Sequence, residues 1–587
     1  MKNFVLIILQ MATVAGILAA QNKIEANWIT RFENSGYVST SGYNETMKYF
    51  QQLDDNSDYA KLFSFGTSPQ ARDLKFFAIT KQKEFDPAAF KSSGKPTLLI
   101  INGIHSGEIE GKDASMLLLR EILITKEKEN LLDKLNIIVI PIFSVDAHER
   151  ISKYNRINQN GPEEMGWRTT SQNYNLNRDW LKADALEMQY MLQLISKWLP
   201  DFIVDTHTTD GADYQYTITY AVEHFANIYS GTAKFLDNKF VPFLTKEVEQ
   251  NDYLIFPYVA FKDWSKGFES GVSDYAATPR FSTGYAAIQN RPALLVETHM
   301  MKPYKDRVFS TKVVLETVMR FMNDNADELI NLNKEADVQS IENFSKEKKY
   351  FPVALKSTDK FSERPFKGFK FYTDSSSISG GSKLVYTNEK QTFNIRFYND
   401  VVSSDSVQLP SAYLIPKEFS YLVDRLKLHG VEAETLTENK TMEVTRYRFK
   451  NIKLSSASNE GRQRVGFDYD TFSEKVNVPA GTYIIRTDQR TLRVIAHALE
   501  PRSDDSFVKW GFMNSIFEQK EYFESYVMEK VAEQMLKDDP QLKKEFEKLL
   551  NENEEFRRNP RERLNFFYKL SPYWDKQLNL YPVMRIE

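Results

Sequence analysis

The stretch PTLLIINGIHSGEIEGKDASMLLLREILI, residues 96–124, decides the fold. PTLLIING (96–103) is a short, doubly apolar run closed by Asn-Gly, which reads as a buried strand ending in a turn. KDASMLLLREILI (112–124) then carries apolar residues at the 3.6-residue period of a half-buried helix. The same texture recurs outward from this point. LNIIVIPIF (135–143), DFIVDTH (201–207) and ALLVET (293–298) read as further buried strands, with a helical ALEMQYMLQLISKWL (185–199) between the first two. Strand–helix–strand alternation with strands apolar on both faces predicts an α/β domain around a parallel or mixed twisted sheet flanked by helices. Ligands in such folds gather outside the carboxyl ends of the strands.

Polar residues stand at those ends. His105-Ser106-Gly107-Glu108 follows the first strand, and a His and a Glu three apart, entering a helix, can turn an imidazole nitrogen and a carboxylate toward one point. A catalytic zinc needs a third protein ligand and an open position. His207, ending DFIVDTH, is the natural third. Glu297 ends the next strand, where a carboxylate beside the metal but not ligating it can carry a proton. Between them, RTTSQNYNLNRDW (168–180) offers Asn177-Arg178, an amide and a guanidinium fork suited to gripping a carboxylate.

Composition limits the alternatives. The 587 residues contain no Cys, which excludes disulfides, thiolate zinc sites and a cysteine nucleophile. The only seven histidines are His105, His148, His207, His224, His299, His429 and His497, and those other than His105 and His207 fit no ligand pattern. The formal charge of −4 and the lack of a basic tract give no support to a nucleic-acid partner. The first segment, MKNFVLIILQMATVAGILAAQN, has the charged, apolar, small-residue layout of a secretory leader cleaved near Ala20. Its apolar run of roughly 15–17 residues is short for a membrane anchor. Export without cysteine suits a secreted protein or one of the bacterial periplasm or cell envelope, with no stable membrane insertion after cleavage.

The order His-x-x-Glu, Asn-Arg, strand-end His, strand-end Glu resembles the zinc carboxypeptidase (metallocarboxypeptidase) family over roughly residues 45–330. The resemblance implies one zinc per chain held by His105, Glu108 and His207, with Glu297 as general base and then acid. It implies a peptide substrate whose terminal carboxylate is gripped by Asn177 and Arg178. Arg168 in Gly-Trp-Arg matches the carbonyl-polarising arginine, with Arg156 in competition for that role. Tyr275, 22 residues before Glu297, matches the mobile tyrosine over the substrate, and Tyr285 is the alternative. Where the family often has an Asp orienting the first zinc histidine, this chain has Asn175, whose amide oxygen can accept the same bond. The base of the specificity pocket is not located. Two rival readings stay open: a zinc amidohydrolase acting on acylated amino acids or cell-wall peptides, and a non-catalytic surface binding protein.

Beyond residue 335 the texture becomes aromatic and β-branched with Gly, Ser and Asn turns, and then charged and helical. The expected organisation is a leader over 1–20, a catalytic domain over 21–335, a β-rich accessory domain over 336–510 and a helical segment over 511–587. The oligomeric state is left open.

Overall fold

The structure is a computed structural model, and it describes residues 26–263 and 266–587. The expected leader over 1–20 lies outside the described residues. No described helix is long and apolar enough to cross a membrane. The chain forms two compact units. One runs up to Ser411 and adds Ser420–Glu434 and Ile485–Ser506, and the other takes Ala412–Phe419, Thr435–Ile484 and Phe507–Glu587.

The first unit is built on an eight-stranded mixed sheet. Its strands belong to the chain-order series β1 (Ala60–Thr67), β2 (Asp73–Ile79), β3 (Thr97–Ile101), β4 (Asn136–Ile140), β5 (Phe202–Thr209), β6 (Ile218–Val222), β7 (Ile255–Pro257), β8 (Ala260–Phe261), β9 (Val272–Ser273) and β10 (Ala293–His299). The sheet order is β1-β2-β4-β3-β5-β10-β6-β7. The four central strands β4, β3, β5 and β10 run parallel. β3 and β4 are buried at every position, as strands covered on both faces must be. Fully burying each of Leu98, Leu99, Ile100 and Ile101 contributes about 1.5–3 kcal/mol. β1, at the edge, is half-exposed.

The helix Glu110–Leu123 starts directly after the β3 turn and packs against Tyr304–Asp324. Gly111 lets it sit down on the sheet, since a Cβ there would lie 2.1 Å from Thr206 Oγ1 and 2.2 Å from Asn102 Oδ1.

The same unit includes a long hairpin, β12 (Ser362–Ser375) and β13 (Ser382–Tyr398), preceded by β11 (Tyr350–Ser357) and followed by β14 (Val401–Gln408). β13 pairs in parallel with β9, and β9 pairs with β8, so the hairpin completes a four-stranded sheet. Phe366, Ile395 and Phe397 of the hairpin share one apolar cluster with Tyr214, Tyr216, Phe256, Phe268 and Val272. Backbone that looks remote in sequence thus supports the loop leading from β9 to Tyr275.

The second unit has a six-stranded sheet and its own helices. Lys440–Leu454 and Val465–Val478 form its longest antiparallel pair. The helices Ser525–Asp538, Pro540–Glu552 and Pro560–Leu570 bury Met528, Phe546 and Phe567 in a separate cluster.

Candidate metal centre and cleft

His105 and Glu108 lie in the turn between β3 and the helix, closed by a bond from the Glu108 amide to the His105 carbonyl at 2.8 Å. A loop over 151–167 is seated on this turn. Gly107 permits it, because a Cβ there would meet Arg156 Cγ at 2.5 Å and the Gly166 carbonyl at 2.9 Å. His207 comes from β5 and Glu297 from β10, directly opposite one another in the parallel register.

The donor atoms of His105, Glu108 and His207 lie within 4.8 Å of one another, and these three buried residues could hold a metal ion. His105 Nδ1 is 3.3 Å and His207 Nδ1 is 3.0 Å from Glu108 Oε2. Each outer ring nitrogen is engaged elsewhere: His105 Nε2 with Asn175 Oδ1 at 3.0 Å, and His207 Nε2 with Asp205 Oδ2 at 2.8 Å. Both rings are thereby turned with Nδ1 toward the shared point. Asn175 takes the part foreseen for it, while the carboxylate partner stands on the second histidine.

Two cations face Glu108. Arg156 forms an ion pair with Oε1, and Arg168 Nη1 lies 3.4 Å from the same oxygen. The Thr208 amide donates to Oε2 at 3.1 Å.

Burial shapes the charge states. Desolvation works against the Glu108 carboxylate, yet His105 and Arg156 hold it well below the usual range. Burial lowers His105, only partly opposed by Glu108. It also works against the His207 cation, but Asp205 and Glu108 hold that group well above its ordinary value. Burial pushes Glu297 up to about 8; His207 opposes the rise, and repulsion from Glu108 and Asp205 adds to it.

A cleft of about 190 Å³ opens over this centre, lined by His105, Glu108, Arg168, Asn177, Arg178, His207, Tyr258, Tyr275, Phe281 and Glu297 among others. His105, Glu108, His207, Glu297, Arg168, Asn177, Arg178 and Tyr275 all line it, while the alternatives Arg156 and Tyr285 do not. Asn177 Oδ1 accepts from the Ser282 amide at 3.1 Å. Arg178 Nη1 donates to the Asn177 carbonyl at 2.7 Å, and its guanidinium lies 4.4 Å from the Phe281 ring centre.

The two tyrosines stand in different surroundings, whereas both arginines reach Glu108 Oε1. Tyr275 is 45% exposed. Burial of its hydroxyl, with repulsion from Glu223 and Glu297, pushes that group up to about 12. Tyr285 is fully buried, stacked on Trp180, and bonded to Gln289 and His429, away from the cleft lining. Arg156 lines a different, outer groove of about 940 Å³, whereas Arg168 faces the cleft. The other histidines pair elsewhere: His148 with Lys112 and Glu149, His224 with Asp237 and Asp274, His497 with Ser503, and His299 with the Met301 amide.

Two acidic residues beside the cleft are not among those singled out from the sequence, Asp205 behind His207 and Glu223 in an adjoining recess. Asp205 had a signal, since residues two apart on a strand share a face with His207. Glu223 had none. It is buried in a small recess of about 40 Å³ that shares Asn177, Tyr258, Tyr275 and Phe281 with the cleft. Its carboxylate accepts from Asn227, from Thr283 Oγ1 at 2.8 Å and from the Ala277 amide at 3.2 Å. Burial pushes it up to about 7, against those bonds.

Three donors that could hold a metal ion thus stand at the strand ends of an α/β sheet, beside a buried carboxylate. Residues 46–312 match the family model described as zinc carboxypeptidase, and this part of the chain is a zinc carboxypeptidase domain. Carboxypeptidase 2 of Trichophyton tonsurans is 22% identical over 435 residues, covering 72% of this chain and 74% of its own length. Carboxypeptidase 2 of Trichophyton rubrum is 23% identical over 437 residues, covering 72% and 75%. A solved metallo-carboxypeptidase from Pseudomonas aeruginosa is 14% identical, covers 49% of this chain and 70% of its own, and has a TM-score of 0.38.

Proposed function

We propose that the protein is an exported zinc carboxypeptidase that removes the C-terminal residue of peptides, with His105, Glu108 and His207 as ligands of one zinc. The observation that carries the reading is the single cleft in which these donors, Glu297, Arg168, Asn177, Arg178 and Tyr275 all meet. The donor set fits zinc. With bonds of about 2.0–2.1 Å, neighbouring tetrahedral ligand atoms stand about 3.4 Å apart, close to the 3.0 and 3.3 Å separations from Glu108 to the two imidazoles. Three protein ligands are the number that leaves a catalytic position open. When bound, zinc supplies Lewis-acid activation of a water and of the scissile carbonyl.

The chain's own groups do the rest. Glu297 takes the proton of the attacking water and hands it to the leaving amine. Its raised proton affinity suits a group that must carry the proton between the two. Arg168 faces the developing oxyanion. Arg178 donates to the substrate's terminal carboxylate beside Asn177, and its placement over Phe281 restrains the guanidinium. Tyr275 covers the bound residue.

Arg178→Ala is expected to lower kcat/KM on free-C-terminal peptides by about 100-fold or more, roughly 3 kcal/mol for a lost charged contact. C-terminally amidated analogues should change little. Paired kinetics on the two substrates check this, and equal, small losses on both would favour an amidohydrolase.

Glu223 supports a preference at the terminal side chain. A buried carboxylate at the end of a narrow recess suits a side chain with donors at its tip, Lys or Arg, whose charge compensates its own. Glu223→Gln should reduce kcat/KM for Lys- and Arg-terminated peptides about 10-fold or more relative to Leu-terminated ones.

The same substitution has a pH signature. The folded carboxyl titrates near 7 against an ordinary 4.5. Wild-type stability from this group is therefore greatest below pH 4.5, is lost as pH rises to 7, and is flat above. Glu223→Gln should be more stable than wild type at pH 8 by up to about 3 kcal/mol, with the gap closing toward pH 4.5. Urea unfolding across that range measures it, and a gap independent of pH would contradict the assignment.

A further inference from the structure

A second cavity in the first unit, about 460 Å³, shares no lining residue with the cleft. Tyr229, Phe344 and Tyr350 wall it, and Ser230, Ser406 and Arg493 line it. Arg493, on the helix Leu492–Leu499, is 3% exposed. Its Nε donates to Ser340 Oγ at 3.0 Å and its Nη1 to the Asn227 carbonyl at 3.1 Å. The guanidinium lies 5.4 Å from the Phe344 ring centre and 5.7 Å from that of Phe351. Among the described residues, Nη2 has no hydrogen-bond partner and no carboxylate stands within ion-pair distance of Arg493. The hydroxyls of Ser230 and Ser406 are also uncommitted among the described residues.

The charges nearby do not balance. The acid that acts on Arg493 is Asp337, but its two oxygens are bound by Arg291 Nη1 and Nη2 at 3.1 and 3.0 Å. Arg490, also mostly buried, donates to the Gln289 carbonyl and to Gln289 Oε1. Arg490 and Arg493 both face Asp337, and the second buried carboxylate nearby, Asp201, faces Arg291, so neither acid is bonded to Arg493. Burial lowers Arg493 to about 10, so it remains a cation at neutral pH. An uncompensated buried charge is strongly unfavourable, and an incoming anion removes that deficit.

We propose that this cavity binds the anionic group of a small molecule, a carboxylate or a phosphate, on Arg493 Nη2 with the Ser230 and Ser406 hydroxyls as further donors. The aromatic wall of Tyr229, Phe344 and Tyr350 takes the body that carries the anion. Glu335, near the rim, is engaged by the Tyr229 hydroxyl at 2.7 Å.

The test titrates the full chain with sodium phosphate and, separately, sodium benzoate, each at ionic strength held constant with sodium chloride, and follows Tm. A saturable rise with at least one anion is expected in the wild type. It should vanish in Arg493→Met, which removes the charge but keeps an apolar stem, and in Ser406→Phe, which fills the cavity and leaves Arg493 in place. Peptidase activity should be unchanged in both. If Arg493→Met does not fold, Ser406→Phe alone decides. A response to phosphate only assigns a phosphate ligand, and a response to benzoate only assigns a carboxylate. No saturable rise with either anion, or a rise that survives the substitution in the folded variants, overturns the proposal.

Discussion

Glu297→Gln is expected to lower kcat by about 10²–10⁴-fold, the usual contribution of a positioned acid–base group, with KM nearly unchanged and the metal content of the wild type retained. The substitution keeps the side chain's shape and removes only its capacity to accept and return a proton. It also removes a buried carboxyl that is repelled by Glu108 and Asp205. The variant should therefore be at least as stable as the wild type, which separates a catalytic loss from misfolding. Steady-state kinetics, zinc by elemental analysis and thermal unfolding on one preparation check all three expectations. Hydrolysis that persists at the wild-type rate would remove Glu297 from the mechanism. Stoichiometric zinc with no peptidase activity in the wild type would instead favour a binding protein.

His207→Ala should abolish both metal binding and hydrolysis. Loss of one of three ligands leaves a two-donor site, and it strands Asp205 and Glu108 as buried carboxylates without their common partner. Breaking such a buried charged network by removing one partner costs about 3–5 kcal/mol. A lower Tm is therefore expected even in the metal-free comparison. Chelation of the wild type should abolish activity while leaving that network in place. Its unfolding free energy should fall only by the binding contribution, about 4 kcal/mol at a thousandfold excess of metal over Kd, with a corresponding drop in Tm. Elemental analysis should give about one zinc per wild-type chain and none in the variant. Activity that survives chelation, or zinc retained in His207→Ala, would contradict the ligand assignment.

The legible and illegible parts of the site differ in kind. His105 and Glu108 were readable because a turn of four residues sets their spacing locally. His207 and Glu297 were readable as ends of apolar runs, since burial on both faces of β5 and β10 writes itself into composition. Asp205 stood in plain view two residues before His207, but a strand alternation says only that the two share a face, not that a carboxylate will meet a ring nitrogen. Glu223 carried no local pattern at all. Its place beside Tyr275 depends on how the segment after β6 returns past the loop following β9.

Tyr275 and Tyr285 make the same point. Both precede Glu297 at plausible distances, yet one is exposed at the cleft and the other is packed under Trp180. Arg156 and Arg168 both reach Glu108, and Arg156 is brought there by a loop seated on Gly107, a contact between segments about fifty residues apart.

By itself, then, the chain's sequence determined an α/β domain with a His-Glu-His donor set and a carboxylate at the carboxyl ends of its buried strands. Periodicity, turn spacing and composition are properties of a few neighbouring residues. The tertiary structure alone decided that Glu297 faces His207, that a carboxylate partner comes from Asp205 and not from position 175, two before the Asn-Arg pair, and that the hairpin of β12 and β13 supports the Tyr275 loop. These depend on register and packing between segments tens to hundreds of residues apart. No local pattern encodes that information.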